Sequence, residues 1–317
     1  MAGSPAGQGA PRGLRASPDA PQPRSRGKYA AVDSSRQSFL VRNDFLIRRL
    51  HSLCGLIPVG AYMVVHLLVN ASVVNGDATF QNNVLNIHKF GDLLPILEWG
   101  FIFIPILFHA IFGFFIIAGG MPNNHNYPYA ANYRYTLQRA TGVIAFFFIM
   151  LHVLHMHGWI HNESWLHYVV RPMGGAQFRP YNATSTAGMA LQQIWVVALY
   201  VIGVTACVYH LANGIWTMGI TWGVWTSPTA QRRASYVCSA FGVLMMVVSG
   251  TALFGLRAAV DTPEKLREVR AQEDRIVELK IATGDIQPNE HKEAAPLDEE
   301  GDDETPEAEA AAAAAGN

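Results

Sequence analysis

The chain has 317 residues, half of them hydrophobic and only 15% charged, with a formal net charge of −1. At that length two soluble domains would be ordinary, but the charges cluster and leave long uncharged windows, which excludes a soluble architecture for the middle of the chain. Cys54, Cys207 and Cys238 are isolated, with no CxxC or CxxCH, which argues against thiolate metal sites and covalently attached haem and leaves them as small buried hydrophobes.

Residues 1–42 are rich in Pro, Gly, Ser and Arg and lack an apolar h-region, so they read as a disordered cytoplasmic arm rather than a cleaved signal peptide. Asp, Glu, Lys and Arg are then absent between Arg49 and Asp77, and from 99–133, 140–162, 180–231 and 234–256. Each window holds roughly 20 residues or more, enough at about 1.5 Å per residue to cross about 30 Å of hydrocarbon. A spanning segment must satisfy its own backbone, and no barrel-like alternation is present. The prediction is an all-α membrane domain over 43–258 with spans near 47–74, 98–120, 136–160, 191–222 and 234–257. Trp99, Trp159, Trp216, Trp222 and Trp225 fall toward span ends, where an amphipathic ring prefers the interface.

Nine Lys or Arg precede residue 50, and Arg134, Arg139, Arg232 and Arg233 lie on connections of the same side. The opposite connections carry Lys89, Arg171 and Arg179. The positive-inside rule therefore puts the N-terminus in the cytoplasm and the C-terminus outside. Residues 259–317 form an acidic, Ala-rich tail, predicted to be mostly disordered beyond a short surface helix around 263–282.

Of twelve histidines, His88, His125, His161, His167 and His291 fall in loops or the tail, where a solvated imidazole needs no explanation. His66, His109, His210 and one of His152 or His155 are deep in spans. An ionisable side chain there marks a cofactor, an ion path or a proton relay, although one alone can simply hydrogen-bond a neighbouring helix. Helical rise places His66 roughly 25 Å from the Arg49 edge and His152 roughly 20 Å from the Arg139 edge, both in the outer half. From the opposite surface, His109 lies about 15 Å past Trp99 and His210 about 25 Å past Gln193, both leaning inward.

Four helices thus offer two pairs of imidazoles, one nearer each surface, which is what two six-coordinate haems stacked across a bilayer require. His109 and His210 each have a glycine four residues on, Gly113 and Gly214, on the same face. A missing side chain there would let a flat macrocycle approach, or would serve helix packing by small residues. In FFFIMLHVLHMHGWIH, His152 is the best candidate, with apolar neighbours on both sides, His155 is the reserve, and His157 and His161 are shallower and solvated.

RRLHSLCGLIPVGAYMVVHLLVN, LEWGFIFIPILFHAIFG, LQRATGVIAFFFIMLHV and YHLANGIWTMGITWG, in that order, closely resemble the di-haem cytochrome b membrane anchor of succinate:quinone oxidoreductases, in its single-subunit, five-helix b558 class. The resemblance covers roughly residues 45–257; the 161–190 connection is longer than usual for the family, and both ends are additions. It implies His66, His109, His152 and His210 as axial ligands of two b haems, paired first with third span and second with fourth, and it selects His152 over His155. It also implies that His51 and Ser52 hydrogen-bond a propionate of the inner haem. Arg49, Gln138 and Arg139 lie at similar depth and could share that anionic load, or the arginines could simply snorkel to the interface.

The same resemblance implies an electron conduit in a bacterial cytoplasmic membrane that does not oxidise succinate itself. It would anchor a flavoprotein and an iron–sulfur subunit, with electrons passing from the inner to the outer haem and on to a quinone, usually menaquinone in this class. Quinone reduction also consumes protons. Glu98, opening the second span in LEWG, is the candidate donor, either partly desolvated or simply interfacial; His88 and Asp92 are weaker options. No nucleic-acid partner is expected. The anchor of a fumarate reductase would carry the same haems, and a histidine-relay transporter would carry none.

Overall fold

The computed structural model describes residues 39–297. Phe39–Arg42 forms one helical turn in a unit of its own, and the rest, from Phe45 onward, is the second compact unit. Among the described residues there is no strand, and five helical stretches are long and apolar enough to cross a membrane: Asp44–Asn75, Gly91–Ala118, Ala130–Met156, Ile194–Thr221 and Pro228–Ala259. Each overlaps one of the five predicted spans.

The first span is built from α1 (Asp44–Leu56) and α2 (Pro58–Ala71). Pro58 lacks an N–H, so the helical bonding is interrupted there, yet Ile57 N–H still donates to the Leu53 carbonyl at 2.9 Å. After α3 (Asp77–His88), the second span starts as a turn at Leu94–Glu98, widens into a π turn at Trp99–Phe103 and continues as α4 (Ile104–Ala118). Pro105 crowds the carbonyl four residues back, and a wider turn relieves the clash. The remaining spans are α5 (Ala130–Met156), α7 (Ile194–Thr221) and α8 (Pro228–Ala259), with α6 (Ala183–Ala190) on the connection between the third and fourth spans.

Two starts follow directly from sequence. Ser227 before Pro228 and Thr262 before Pro263 each cap a helix, their hydroxyls accepting from Ala230 N–H at 3.2 Å and Lys265 N–H at 3.3 Å. A side-chain oxygen meets an orphan donor while proline fills the first turn, where no donor is needed.

The third, fourth and fifth spans pack closely in sequence order, and the fifth returns to the first. The second span stands apart: it touches α2 and α5 only lightly, and no residue of α4 is buried.

The end of the bundle opposite Asp44 carries a polar-stitched cap. Here α3, the turn Pro180–Asn182, α6 and α9 (Pro263–Ala282) gather over the span ends. The predicted surface helix at 263–282 is therefore present, but it is docked rather than free. Glu273 is fully buried and accepts from Thr184 N–H at 2.6 Å, Ser185 N–H at 3.1 Å and the Ser185 hydroxyl at 2.5 Å, so its carboxyl group takes up the orphan backbone donors at the start of α6. Gln81, also fully buried, donates to the Pro180 carbonyl at 3.0 Å and accepts from Ala183 N–H at 2.8 Å.

Gly284, at φ +73°, turns the chain back after α9, the left-handed conformation glycine adopts at no cost. Tyr181 then donates to the Gln287 carbonyl at 2.5 Å, and Asn182 accepts from Ala294 N–H at 2.9 Å. Gln287 and Ala294 of the tail are thus tied to the 181–182 turn, while residues 298–317, which composition predicts to be disordered, lie outside the described residues, as does the 1–38 part of the arm.

Candidate functional site: two imidazole pairs in one cavity

Because the second span stands off, a cavity of about 1640 Å³ opens between it and the other four spans. Protein interiors are otherwise close-packed, and ligand pockets usually hold about 300–1,000 Å³, so this space exceeds what one small molecule needs. It runs from His51, Ser52 and Arg139 at the Asp44 end to Glu98, His88 and Lys292 under the cap.

Four imidazoles line it as two pairs. His66 of α2 and His152 of α5 have ring centroids 5.8 Å apart at 75°, and His109 of α4 and His210 of α7 are 6.0 Å apart at 85°. The pairing is first span with third and second with fourth. Metal–imidazole bonds are about 2 Å long, so two rings on opposite sides of one ion have centroids about 6 Å apart.

Neighbouring groups fix three of the four rings. His109 Nδ1–H donates to the His51 carbonyl at 2.9 Å, and His210 Nδ1–H to the Gln138 carbonyl at 3.0 Å, leaving each Nε2 with its lone pair. His152 Nδ1 lies 3.2 Å from the Tyr200 hydroxyl. His66 differs: its Nε2 is 3.5 Å from the Asn70 amide, which donates to the His66 carbonyl at 2.7 Å.

Two acceptor carbonyls share one sequence device. A glycine four residues after His51 and after Gln138, Gly55 and Gly142, leaves the helix surface beside each carbonyl open. A Cβ at Gly55 would overlap the His109 ring, and one at Gly142 would fall 2.9 Å from His210 Cε1. The predicted glycines complete the exchange from the other side: a Cβ at Gly113 would lie 3.3 Å from His51 Cε1, and one at Gly214 3.5 Å from Gln138 Nε2. Both also line the cavity.

The remaining predicted residues are distributed as follows. His51 stacks on His109 with centroids 4.0 Å apart at 8°, and its own Nδ1 is buried with no hydrogen-bond partner among the described residues. Ser52 lines the cavity. The Arg49 guanidinium lies over the Trp222 and Phe45 rings at 5.1 and 5.0 Å. Arg139 donates to the Gly120, Ile117 and Ile116 carbonyls at 2.5, 3.2 and 3.1 Å, closing the C-terminal end of α4. Gln138 donates to the His210 carbonyl at 3.1 Å and accepts from Asn213 at 2.7 Å. Glu98, half-buried, lines the cavity just before the π turn.

His88 and His157 correct the expectation of solvated loop imidazoles. Both line the cavity, half-buried, and their Nδ1 atoms lack hydrogen-bond partners among the described residues, because the cap folds over this end. Burial, with Lys292, His157 and His161 nearby, pushes His88 down to about 4, and burial beside His161 lowers His157 to about 4 as well.

Sequence reasoning missed Gly55, Gly142, Tyr200 and the Arg134–Asn213 pair, in which Arg134 Nε donates to Asn213 at 2.9 Å behind Gln138. Gly55 and Gly142 were findable, since they repeat the spacing already noted at Gly113 and Gly214. Tyr200 carries no local signal.

A porphyrin fits these residues. Among the described residues no cluster of three or more His, Cys, Asp or Glu could hold a metal ion. A pair of imidazoles supplies only axial ligands, so the other coordination positions must come with the group itself. The cavity gives such a flat group room.

Residues 125–256 match the family described as succinate dehydrogenase/fumarate reductase transmembrane subunit. The chain is also 32% identical over 214 residues to the succinate dehydrogenase cytochrome b558 subunit of Bacillus subtilis (strain 168), an alignment spanning 67% of this chain and 96% of that protein. Five apolar helices in an all-α fold, paired deep histidines and these two matches together show that the chain belongs to the succinate dehydrogenase/fumarate reductase family of cytochrome b-like membrane subunits.

Proposed function

We propose that this chain is the di-haem electron-transfer anchor of a succinate:quinone oxidoreductase in a bacterial cytoplasmic membrane. The single observation that carries the reading is the pair of imidazole pairs, 5.8 and 6.0 Å across, facing one continuous cavity. His109 and His210 would hold an inner haem b, and His66 and His152 an outer one. When bound, these groups would supply reversible one-electron transfer.

The chain's own residues orient the ligands and set the surroundings. The His51 and Gln138 carbonyls hold two imidazoles by Nδ1–H, and the apolar walls keep water from the ligands. His51 and Ser52 line the Asp44 end of the cavity, where propionates of the inner haem would be met, with Gln138 close by. The Arg139 donors turned to carbonyls and the Arg49 stack on Trp222 favour the two arginines as helix anchors over propionate ligands.

The Asp44 end faces the cytoplasm in this reading, on the excess of Lys and Arg there, and receives the flavoprotein and iron–sulfur subunits. A quinone, menaquinone in this class, would take up electrons under the cap. Glu98 lines the cavity at that end and would hold a proton on its carboxyl group for the quinone.

A pyridine haemochrome assay and a reduced-minus-oxidised spectrum on the purified protein test the reading. About two haems per chain with a b-type spectrum are expected; a colourless protein, as a histidine-relay transporter would be, overturns it.

A further inference from the structure

The Tyr200 hydroxyl stands between two imidazoles: His152 Nδ1 is 3.2 Å away and His155 Nδ1 2.9 Å. Both are hydrogen-bonding distances. Tyr200 is 6% exposed, and its ring packs edge-on against Phe148 at 5.3 Å and 87°, which holds the hydroxyl in place. A hydroxyl carries one proton. It can donate to only one of the two nitrogens and must accept from the other.

That leaves two arrangements. In one, Tyr200 donates to His155 Nδ1 and accepts from His152 Nδ1–H, and His152 Nε2 keeps its lone pair toward His66. In the other the chain runs backwards, His152 Nε2 carries the hydrogen, and the ring cannot ligate. His109 does not face this choice, because its Nδ1 partner is a backbone carbonyl, which only accepts. His210 Nδ1 has the Gln138 carbonyl at 3.0 Å and the Gln138 side-chain amide at 3.2 Å. His152 depends on a hydroxyl, which can point either way.

We infer that His155 is the acceptor that sets the direction of this chain, so that Tyr200 and His155 act as positioning residues holding His152 in its Nε2-ligating form. The inference rests on the di-haem reading. It gives a task to an imidazole that the ligand set leaves over: the cavity is lined by His152 and Tyr200 but not by His155, which acts through Tyr200 rather than on a bound group. An Nδ1–H donated to an acceptor also makes an imidazole a stronger electron donor, favouring oxidised iron. Losing the acceptor should therefore raise the potential of the haem that His152 holds.

The test is a redox titration with low-temperature EPR on the purified holo-protein and on Tyr200→Phe, His155→Leu and His155→Asn. Asparagine places an acceptor oxygen where Nδ1 stood. The first two variants should each raise the potential and move the EPR signal of one haem while the other stays unchanged, His155→Asn should restore both, and Tyr200→Phe combined with His155→Leu should add nothing to Tyr200→Phe. A His155→Leu protein identical to wild type, or an Asn variant shifted as far as the Leu variant, overturns the inference. Should His155→Leu lose both haems, an unshifted Tyr200→Phe protein overturns it. A wild-type protein without haem would sink the di-haem reading instead.

Discussion

Gly142 of the third span and His210 of the fourth interlock: a Cβ on residue 142 would press on the imidazole, 2.9 Å from His210 Cε1, while the ring donates to the carbonyl one turn back, at Gln138. Gly55 and His109 repeat the relation between the first two spans. The predicted consequence is that Gly142→Ala pushes His210 off its carbonyl and weakens retention of the inner haem by about 10–100-fold, the usual cost of disturbing a ligand's supporting shell. Gly55→Ala should be worse, since there the overlap is closer. Haem content after purification reads this out; full occupancy in both variants would show the notches to be incidental.

Arg139 makes a second prediction. Its guanidinium serves three carbonyls at the end of α4, the negative pole of that helix. The second span packs only lightly on its neighbours, so this tie contributes more than its area suggests. Arg139→Leu leaves the carbonyls without their charged donor and should cost about 1.5–3 kcal/mol, the range for a hydrogen bond to a charged group. A lowered unfolding midpoint by thermal denaturation in detergent checks it, and Arg139→Lys should recover part of the loss.

The spans and their paired histidines were legible because both follow from one-dimensional rules. Charge-free runs give span length, and helical rise puts His66 and His152 in the outer half and has His109 and His210 leaning inward. What escaped was set by neighbours distant in the chain. His155 looks idle until Tyr200, 45 residues on, is brought beside it. The tail is polar enough to read as solvated, yet Glu273 and Arg270 are buried, because Ser185 takes a hydrogen bond from Arg270 Nε at 3.0 Å while two backbone amides take up Glu273. Composition counts charges; it does not see the partners that make burying them tolerable.

Glu98 tests the proton side of the proposal. It opens onto the cavity at the end that His88 and His157 also line. Glu98→Gln keeps the shape and removes the exchangeable acid. Quinone turnover should fall by about 100-fold or more, the lower range for loss of a general acid, with both haem spectra intact. Unchanged turnover would remove Glu98 from the mechanism.

The cap should respond to pH through Glu273. Burial raises its carboxyl group from the ordinary 4.5 to about 7, against the opposing pull of the Ser185 and Thr184 hydrogen bonds and the Arg270 charge. Between those two values the docked helix keeps a proton that the released helix gives up, so docking is strongest below 4.5 and weakens as pH rises toward about 7. Hydrogen exchange along α9, corrected for intrinsic rates, should show greater protection at about pH 5 than at about pH 8. Glu273→Gln mimics the protonated acid, accepting from the same two amides while its NH2 faces the Ser185 hydroxyl, and should hold the helix equally well at both. Equal protection of the wild-type helix at the two pH values, or a Gln variant that still loosens in base, would show that α9 is held by its apolar face, Val269 and Val277, rather than by this carboxyl group.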